Sequence, residues 1–304
     1  MEKFEVTILG CGSATPTLVH HPSAQIVNLR DKLSLIDCGE GTQLQLRACK
    51  QKFMAIRNVF ISHLHGDHCL GLVGLISTFG LLGRTKNIHI YAQAELQPIT
   101  EAQLQLFCHN LSFEVVFHPI DTTKHSLIYE DRSMEVWTLP LKHRVECCGF
   151  LFKEKPGLPH INREMTDSYN IPACHLNNIK AGMDWTMPDG RVIPNSRLTT
   201  PPDQPRTYAY CSDTMYMPEL VPLIKNADLL YHESTYDNSL ECKASARAHS
   251  TAGQAASIAK QAEVKRLMIG HYSASYKDSS LLLKQAQEVF PNTIAADEGL
   301  TVEI

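Results

Sequence analysis

The sequence predicts a layered α/β fold, and three observations carry that prediction. Short apolar runs of strand length alternate with helical patterns along 304 residues. Apolar residues make up 43% and charged residues 20%, the balance of an ordinary globular chain with ample core. Strand after strand also ends in a histidine or a carboxylate, as expected where site loops gather at one edge of a layered fold.

Phe4 to Leu9 alternates as a strand and runs into the Gly-rich turn Gly10-Cys11-Gly12-Ser13-Ala14-Thr15-Pro16. That turn lacks the G-x-x-x-x-G-K-[ST] arrangement of a nucleotide-binding loop. Ala24 to Leu29 and Leu33 to Ile36 read as a hairpin through Arg30-Asp31-Lys32, followed by Asp37-Cys38-Gly39-Glu40-Gly41-Thr42 and a helix over Gln43 to Cys49. Asp37 has two readings: a carboxylate that orients a metal-ligating histidine, or a turn residue. Val59 to Ser62 is a strand, and helices are expected over about Leu70 to Leu82 and Glu95 to Phe107, separated by the strand Ile88 to Ala92. Strands follow at Phe113 to Phe117, within Ser126 to His143 (the second being Met134 to Leu139), and at Cys148 to Phe152. Residues 153 to 206 break the pattern: they are rich in Pro, Asn, Gly and Asp, and a structureless insert of that length is usually functional or mobile. Regular patterning resumes with strands at Thr207 to Asp213, Ala227 to Tyr231, Val264 to Ile269 and near Leu300 to Glu303. Helices span Ala252 to Gln261, with Ser250 as N-cap, and about Ser279 to Val289.

The strand at Val59 ends in His63-Leu64-His65-Gly66-Asp67-His68, three imidazoles and a carboxylate within six residues. In an extended segment, positions i and i+2 face the same way, so His63 and His65 can grip one ion. A sharp turn at Gly66 sends Asp67 and His68 to a neighbouring position. The spacing suits two adjacent metals, and the ligand types favour zinc or a similar first-row ion. Four further strand ends deliver His143, Asp213, His232-Glu233 and His271.

A net charge of −4 gives no general affinity for nucleic acid, so RNA contact needs a local patch. The insert offers Lys153, Lys155, Arg163, Lys180, Arg191, Arg197 and Arg206 among acids, with Tyr169 and Trp185 able to stack on bases. No apolar run is long enough to span a membrane. The start lacks a signal-peptide pattern. The ten cysteines are scattered, with no Cys-x-x-Cys, and read as reduced thiols of a cytoplasmic protein.

With these residues in view, His63-x-His65-x-Asp67-His68 followed by His143, Asp213 and His271 resembles the metallo-β-lactamase superfamily over essentially the whole chain. Within it, Asp37-Cys38-Gly39-Glu40-Gly41-Thr42-Gln43, His232-Glu233-Ser234-Thr235 and Ala248-His249-Ser250-Thr251 are similar to signatures of the ribonuclease Z family, tRNA 3′-processing endonucleases. The resemblance implies a four-layer αββα sandwich of the metallo-β-lactamase type, a single domain over 1–304 with residues 153–206 as an inserted tRNA-binding arm. It also implies a homodimer acting on precursor tRNA with two Zn2+ per subunit, Mn2+ or another first-row ion being the substitute. One metal would take His63, His65 and His143, the other Asp67, His68 and His271, with Asp213 bridging. Asp67 would act as general base on an activated water, and His249, held by Glu233, would protonate the departing ribose 3′ oxygen. Two local sequences depart from the family. The loop after the first strand reads Pro16-Thr17-Leu18-Val19-His20-His21-Pro22, without the family's Pro-x-Lys-x-Arg-Asn, and the arm keeps Lys180 and Gly182 but has no Gly-Pro element. Two other readings compete: a phosphodiesterase, lactonase or thioesterase for small substrates on the same fold, and a metal-stabilised RNA-binding protein without catalysis.

Overall fold

A computed structural model describes residues 2–304, except the side chain of Phe53. The strands run in chain order as β1 (Phe4–Gly10), β2 (Ala24–Leu29), β3 (Lys32–Ile36), β4 (Ile56–Phe60), β5 (Ile88–Ala92), β6 (Val115–Pro119), β7 (Leu127–Glu130), β8 (Met134–Leu141) and β9 (Cys147–Glu154). Four two-residue strands of the insert follow: β10 (His160–Ile161), β11 (Trp185–Thr186), β12 (Val192–Ile193) and β13 (Thr199–Thr200). The chain closes with β14 (Thr207–Cys211), β15 (Leu229–Glu233), β16 (Arg266–Gly270), β17 (Thr293–Ala295) and β18 (Thr301–Glu303).

Two seven-stranded mixed sheets result, in the orders β18-β1-β2-β3-β4-β5-β6 and β17-β16-β15-β14-β9-β8-β7. Strand pleating decides the layers, because successive side chains leave on opposite faces. In β2, Val27 and Leu29 join a core shared with the second sheet, whereas Ile26 joins Leu75, Ile76 and Phe79 of the helix Leu72–Leu81. Phe60 at the end of β4 stacks on Tyr91 at 4.8 Å between centroids and meets Phe150 and Phe152 of β9 at 5.5 and 5.6 Å, joining the sheets. The helix Ala252–Gln261 packs Ala252, Ala255, Ala256 and Ala259 into the core that contains Leu230 and Met268. These layers form the αββα sandwich.

The observed elements refine several expectations. The β2–β3 hairpin turns at Arg30 and Asp31, with φ of 54° and 61°, the two left-handed residues of the turn type that matches strand twist. The helix expected over about Leu70 to Leu82 is present as Leu72–Leu81, and a separate short helix, Gly66–Cys69, precedes it. Gly66 opens that short helix, so the sharp turn expected after His65 is a helical one. Ser250 is not the N-cap of Ala252–Gln261. Thr251 caps it, because Gln254 completes a reciprocal capping box, and Ser250 Oγ instead donates to the Thr214 carbonyl at 2.7 Å. β17 had no counterpart in the sequence reading.

Glu154–Pro205 forms a compact unit of its own, and it is not structureless. It contains the helices Arg163–Ser168, Leu176–Lys180 and Asn195–Leu198 and the pairs β10–β13 and β11–β12. Ile179, Ile193 and Leu198 make its small core, with Tyr169 and Trp185 packed against them. Every element is six residues or shorter, which is why no periodicity announced it.

Candidate metal centre

Strand ends assemble the site. β4 hands over to His63 and His65, β8 to His143, β14 to Asp213 and β16 to His271. His65 is extended (φ −75°, ψ 149°), and the helical turn after it carries Asp67 and His68. His63 Nε2 and His143 Nε2 stand 3.0 and 3.3 Å from His65 Nδ1, and Asp213 Oδ2 is 3.7 Å from both Nε2 atoms. The other oxygen, Asp213 Oδ1, lies 3.4 Å from His68 Nε2 and 3.0 Å from His271 Nε2. Asp67 Oδ2 is 3.4 and 3.6 Å from those same nitrogens. The ligand-type atoms within each of the groups His63/His65/His143/Asp213 and Asp67/His68/His271 lie within 4.8 Å of one another. Asp213 thus offers one oxygen to each group.

These residues fit metal ions. His68 Nε2 and His271 Nε2 are buried, face carboxylate oxygens, and yet form no hydrogen bond among the described residues. Unpaired buried nitrogens of this kind are costly, and a cation between imidazoles and carboxylate satisfies all of them together. Burial pushes the pKa of His63 and His65 down, keeping them in the neutral form that ligation requires. Burial opposes ionisation of Asp67 and Asp213, but the surrounding histidines hold both carboxyls well below the usual range.

The opposite imidazole nitrogens are held in turn. Asp37, wholly buried, accepts from His68 Nδ1 at 2.8 Å, from Ser62 N and Oγ at 2.8 and 3.0 Å, and from Tyr210 Oη at 2.7 Å. The orienting role, and not the turn alone, is what its contacts display. His143 Nδ1 donates to the Ala248 carbonyl at 2.8 Å, and His271 Nδ1 lies 3.0 Å from Thr235 Oγ1. Asp67 Oδ2 accepts from the Ala14 amide at 2.7 Å. Such partners fix the tautomer and aim of each of these side chains. Ala14, Asp37, Ala248 and His271 all have left-handed backbones (φ 53°, 55°, 54° and 60°), strain that a functional site characteristically stores.

Glu233, at the end of β15 and wholly buried, accepts from His249 Nδ1 and the Thr214 amide, both at 2.8 Å. Its second oxygen accepts from Thr235 Oγ1 at 2.6 Å. Burial lowers the pKa of His249, but the Glu233 carboxylate more than reverses this and raises it above its ordinary value. The His249 ring stands 4.9 Å from that of His143 and 5.6 Å from that of His271. His232 takes no part: it is buried with Nδ1 donating to the Glu233 carbonyl at 2.7 Å. The sequence reading missed the Ala14 amide, the Ala248 carbonyl and Thr235, because backbone groups and a hydroxyl carry no local signal.

A protein from Bacteroides fragilis named Ribonuclease Z is 55% identical over the whole of both chains. Another of that name from Porphyromonas gingivalis is 50% identical, again over the whole of both. Among solved structures, the short form of human tRNase Z superposes with a TM-score of 0.71 at 25% identity, covering 98% of each chain. The metallo-beta-lactamase fold protein YhfI from Bacillus subtilis gives 0.69 at 19% identity over the whole of both chains, a likeness of fold. The family model described as Anti-Pycsar protein Apyc1 matches residues 4–158, a stretch with the first histidine cluster and His143 but without Asp213, Glu233, His249 and His271. The full-length match to the curated relatives spans the remainder as well, and the chain belongs to the ribonuclease Z family on the metallo-β-lactamase fold.

Proposed function

We propose that this protein is an endoribonuclease that removes 3′ trailers from precursor tRNA by hydrolysing one phosphodiester, leaving a 3′-hydroxyl on the tRNA. The observation that carries the reading is the Glu233–His249 pair beside seven metal-ligand side chains. His63, His65, His143 and Asp213 would hold one divalent ion, and Asp67, His68, His271 and Asp213 a second, zinc being the best match to the donors. When bound, such ions supply a readily ionised water and stabilise charge on phosphoryl oxygens. Asp67, aimed by the Ala14 amide, would orient an attacking water and accept its proton. His249, with Nδ1 committed to Glu233, presents Nε2 to protonate the departing ribose 3′ oxygen.

The arm unit supports an RNA substrate. Arg163, Lys180 and His160 line a cavity of about 360 Å³ within it, suited to phosphate contacts from a tRNA body. We further propose a homodimer, in line with the family, and a cytoplasmic location, which suits ten free cysteines. No helix among the described residues is long and apolar enough to cross a membrane.

The test is cleavage of a 5′-labelled precursor tRNA bearing a 3′ trailer, with zinc or manganese added and a small phosphodiester alongside. A single cut near the discriminator base is expected, reduced at least about 1,000-fold in Asp67→Ala without loss of fold. Hydrolysis of the small diester with the tRNA left intact would move the assignment to a small-molecule phosphodiesterase.

A further inference from the structure

Among the described residues, a cluster outside the His/Asp centre brings three metal-ligand types to one point. Cys11, just past β1, places Sγ 3.4 Å from His20 Nδ1, and Glu298, in the loop between β17 and β18, places Oε2 2.9 Å from the same nitrogen. Cys11 Sγ is 3.6 Å from Glu298 Oε1, and ligand-type atoms of the three residues lie within 4.8 Å of one another. Cys11 is wholly buried, and the side chains of His20 and Glu298 are each 13% exposed. The order of contacts excludes a nucleophilic relay. In such a relay the nucleophile and the carboxylate address opposite ring nitrogens, whereas here both address Nδ1. Burial and the Glu298 carboxylate also push the thiol's pKa well above its ordinary value, the reverse of activation.

A cation suits the point where these atoms converge. Around a tetrahedral zinc, with Zn–S of about 2.3 Å and Zn–N or Zn–O of about 2.0–2.1 Å, ligand atoms stand roughly 3.4–3.6 Å apart. Both thiol contacts already have that spacing, and the Nδ1–Oε2 pair would open by about half an ångström. A thiolate and a carboxylate together neutralise a divalent ion, so the buried site would carry no net charge. Binding expels the thiol proton and the Nδ1 proton that His20 shares with Glu298, and leaves the imidazole neutral with its proton on Nε2. We infer that Cys11 Sγ, His20 Nδ1 and the Glu298 carboxylate form a separate site for one thiophilic divalent cation, zinc or cadmium rather than magnesium, with the fourth position left to water. This site is independent of whether the chain cuts RNA. His20 lies in the segment where the chain departs from the family's Pro-x-Lys-x-Arg-Asn loop, so this ligand is not part of the family signature. A bound ion would brace the loop beside the His/Asp centre. Ala14, whose amide donates to Asp67, lies between Cys11 and His20, and the amide of Tyr272, next to His271, donates to the Cys11 carbonyl at 2.9 Å.

Cobalt is the probe. The full-length protein, stripped of metal by chelation, is titrated with Co2+, whose bond to a thiolate gives a charge-transfer band in the near ultraviolet. The His/Asp centre has no cysteine among its ligand-type residues, so it contributes none of that band. The band should saturate at one thiolate-bound cobalt per chain, disappear on addition of Cd2+ but not of Mg2+, and persist in Asp67→Ala. Cys11→Ser should abolish it. His20→Asn, which keeps a donor towards Glu298, should weaken cobalt binding at this site at least about tenfold without lowering the metal-free Tm. Absence of the band in the wild-type protein overturns the site. A band of full strength in Cys11→Ser also overturns it, because the cobalt then sits on another thiol such as Cys69 or Cys147. Unchanged affinity in His20→Asn does the same, and if Cys11→Ser does not fold, that affinity decides the matter by itself.

Discussion

Glu233 joins two histidines of different character. Through Oε1 it meets His249 directly, and through Thr235 it reaches the Nδ1 of His271. The same carboxylate therefore holds the proposed proton donor and steadies a proposed metal ligand. Because Glu233 raises the pKa of His249, the imidazolium persists to higher pH than a free histidine would allow. Activity that needs the protonated ring falls only as pH rises through that elevated value. Glu233→Gln keeps a hydrogen-bond acceptor and removes the charge, so the alkaline limb of kcat against pH should move to lower pH, with kcat down about 100-fold at neutral pH. A limb that stays in place would remove His249 as the acid. In sequence, Glu233 and His249 were legible because both sit in short motifs. The roles of Ala14 and Thr235 were not, since a main-chain amide or a lone hydroxyl looks alike everywhere until its partner is placed.

At the scale of elements, the loop between β1 and β2 is held from the far end of the chain. Glu298 accepts from the amides of Cys11 and His21 at 3.3 and 2.8 Å and pairs with His20 Nδ1 at 2.9 Å. The loop it staples carries Ala14, whose amide donates to Asp67, and the exposed Leu18. Glu298→Ala should cost about 2 kcal/mol of stability at pH 6, the scale of charge-assisted hydrogen bonds. Glu298 raises the pKa of His20, so the charged part of this pairing is complete below the histidine's ordinary value and fades as pH rises through the elevated one. Urea unfolding should thus find a smaller deficit at pH 9 than at pH 6, and an equal deficit would show that the backbone contacts carry all of it. A staple spanning 287 positions leaves no trace in a local pattern, whereas β5 emerged at Ile88–Ala92 as its alternation and flanks required. The misplaced cap has a similar cause. Ser250 and Thr251 are equivalent by type, and only the reciprocal bond with Gln254 distinguishes them.

For the whole molecule, the division into a layered body and the unit Glu154–Pro205 separates two kinds of stability. The body buries two extensive apolar clusters, while the inserted unit has three fully enclosed apolar side chains. The insert's composition made its boundaries visible in the sequence, but its short helices and two-residue strands had no period to detect. The junction itself is narrow: Lys153 of β9 stands opposite Thr207 of β14 in antiparallel register. Excising 155–205 and closing the gap with a two-residue Asn-Gly turn between Glu154 and Arg206 should therefore leave a β-hairpin in place of the insert. Arg206 must remain, because its guanidinium donates to the carbonyls of Glu2 and Ile304. The excised protein should fold and hydrolyse a small phosphodiester, while kcat/KM for precursor tRNA drops roughly 30-fold, about 2 kcal/mol of binding. Equal cleavage of precursor tRNA by the two forms would show that the insert is dispensable for recognition. The register of Lys153 and Thr207 also makes this junction a port. A segment of any length can enter or leave there without shifting a strand of the hydrolytic body, so substrate range can evolve by exchange of one cassette while the chemistry is inherited intact.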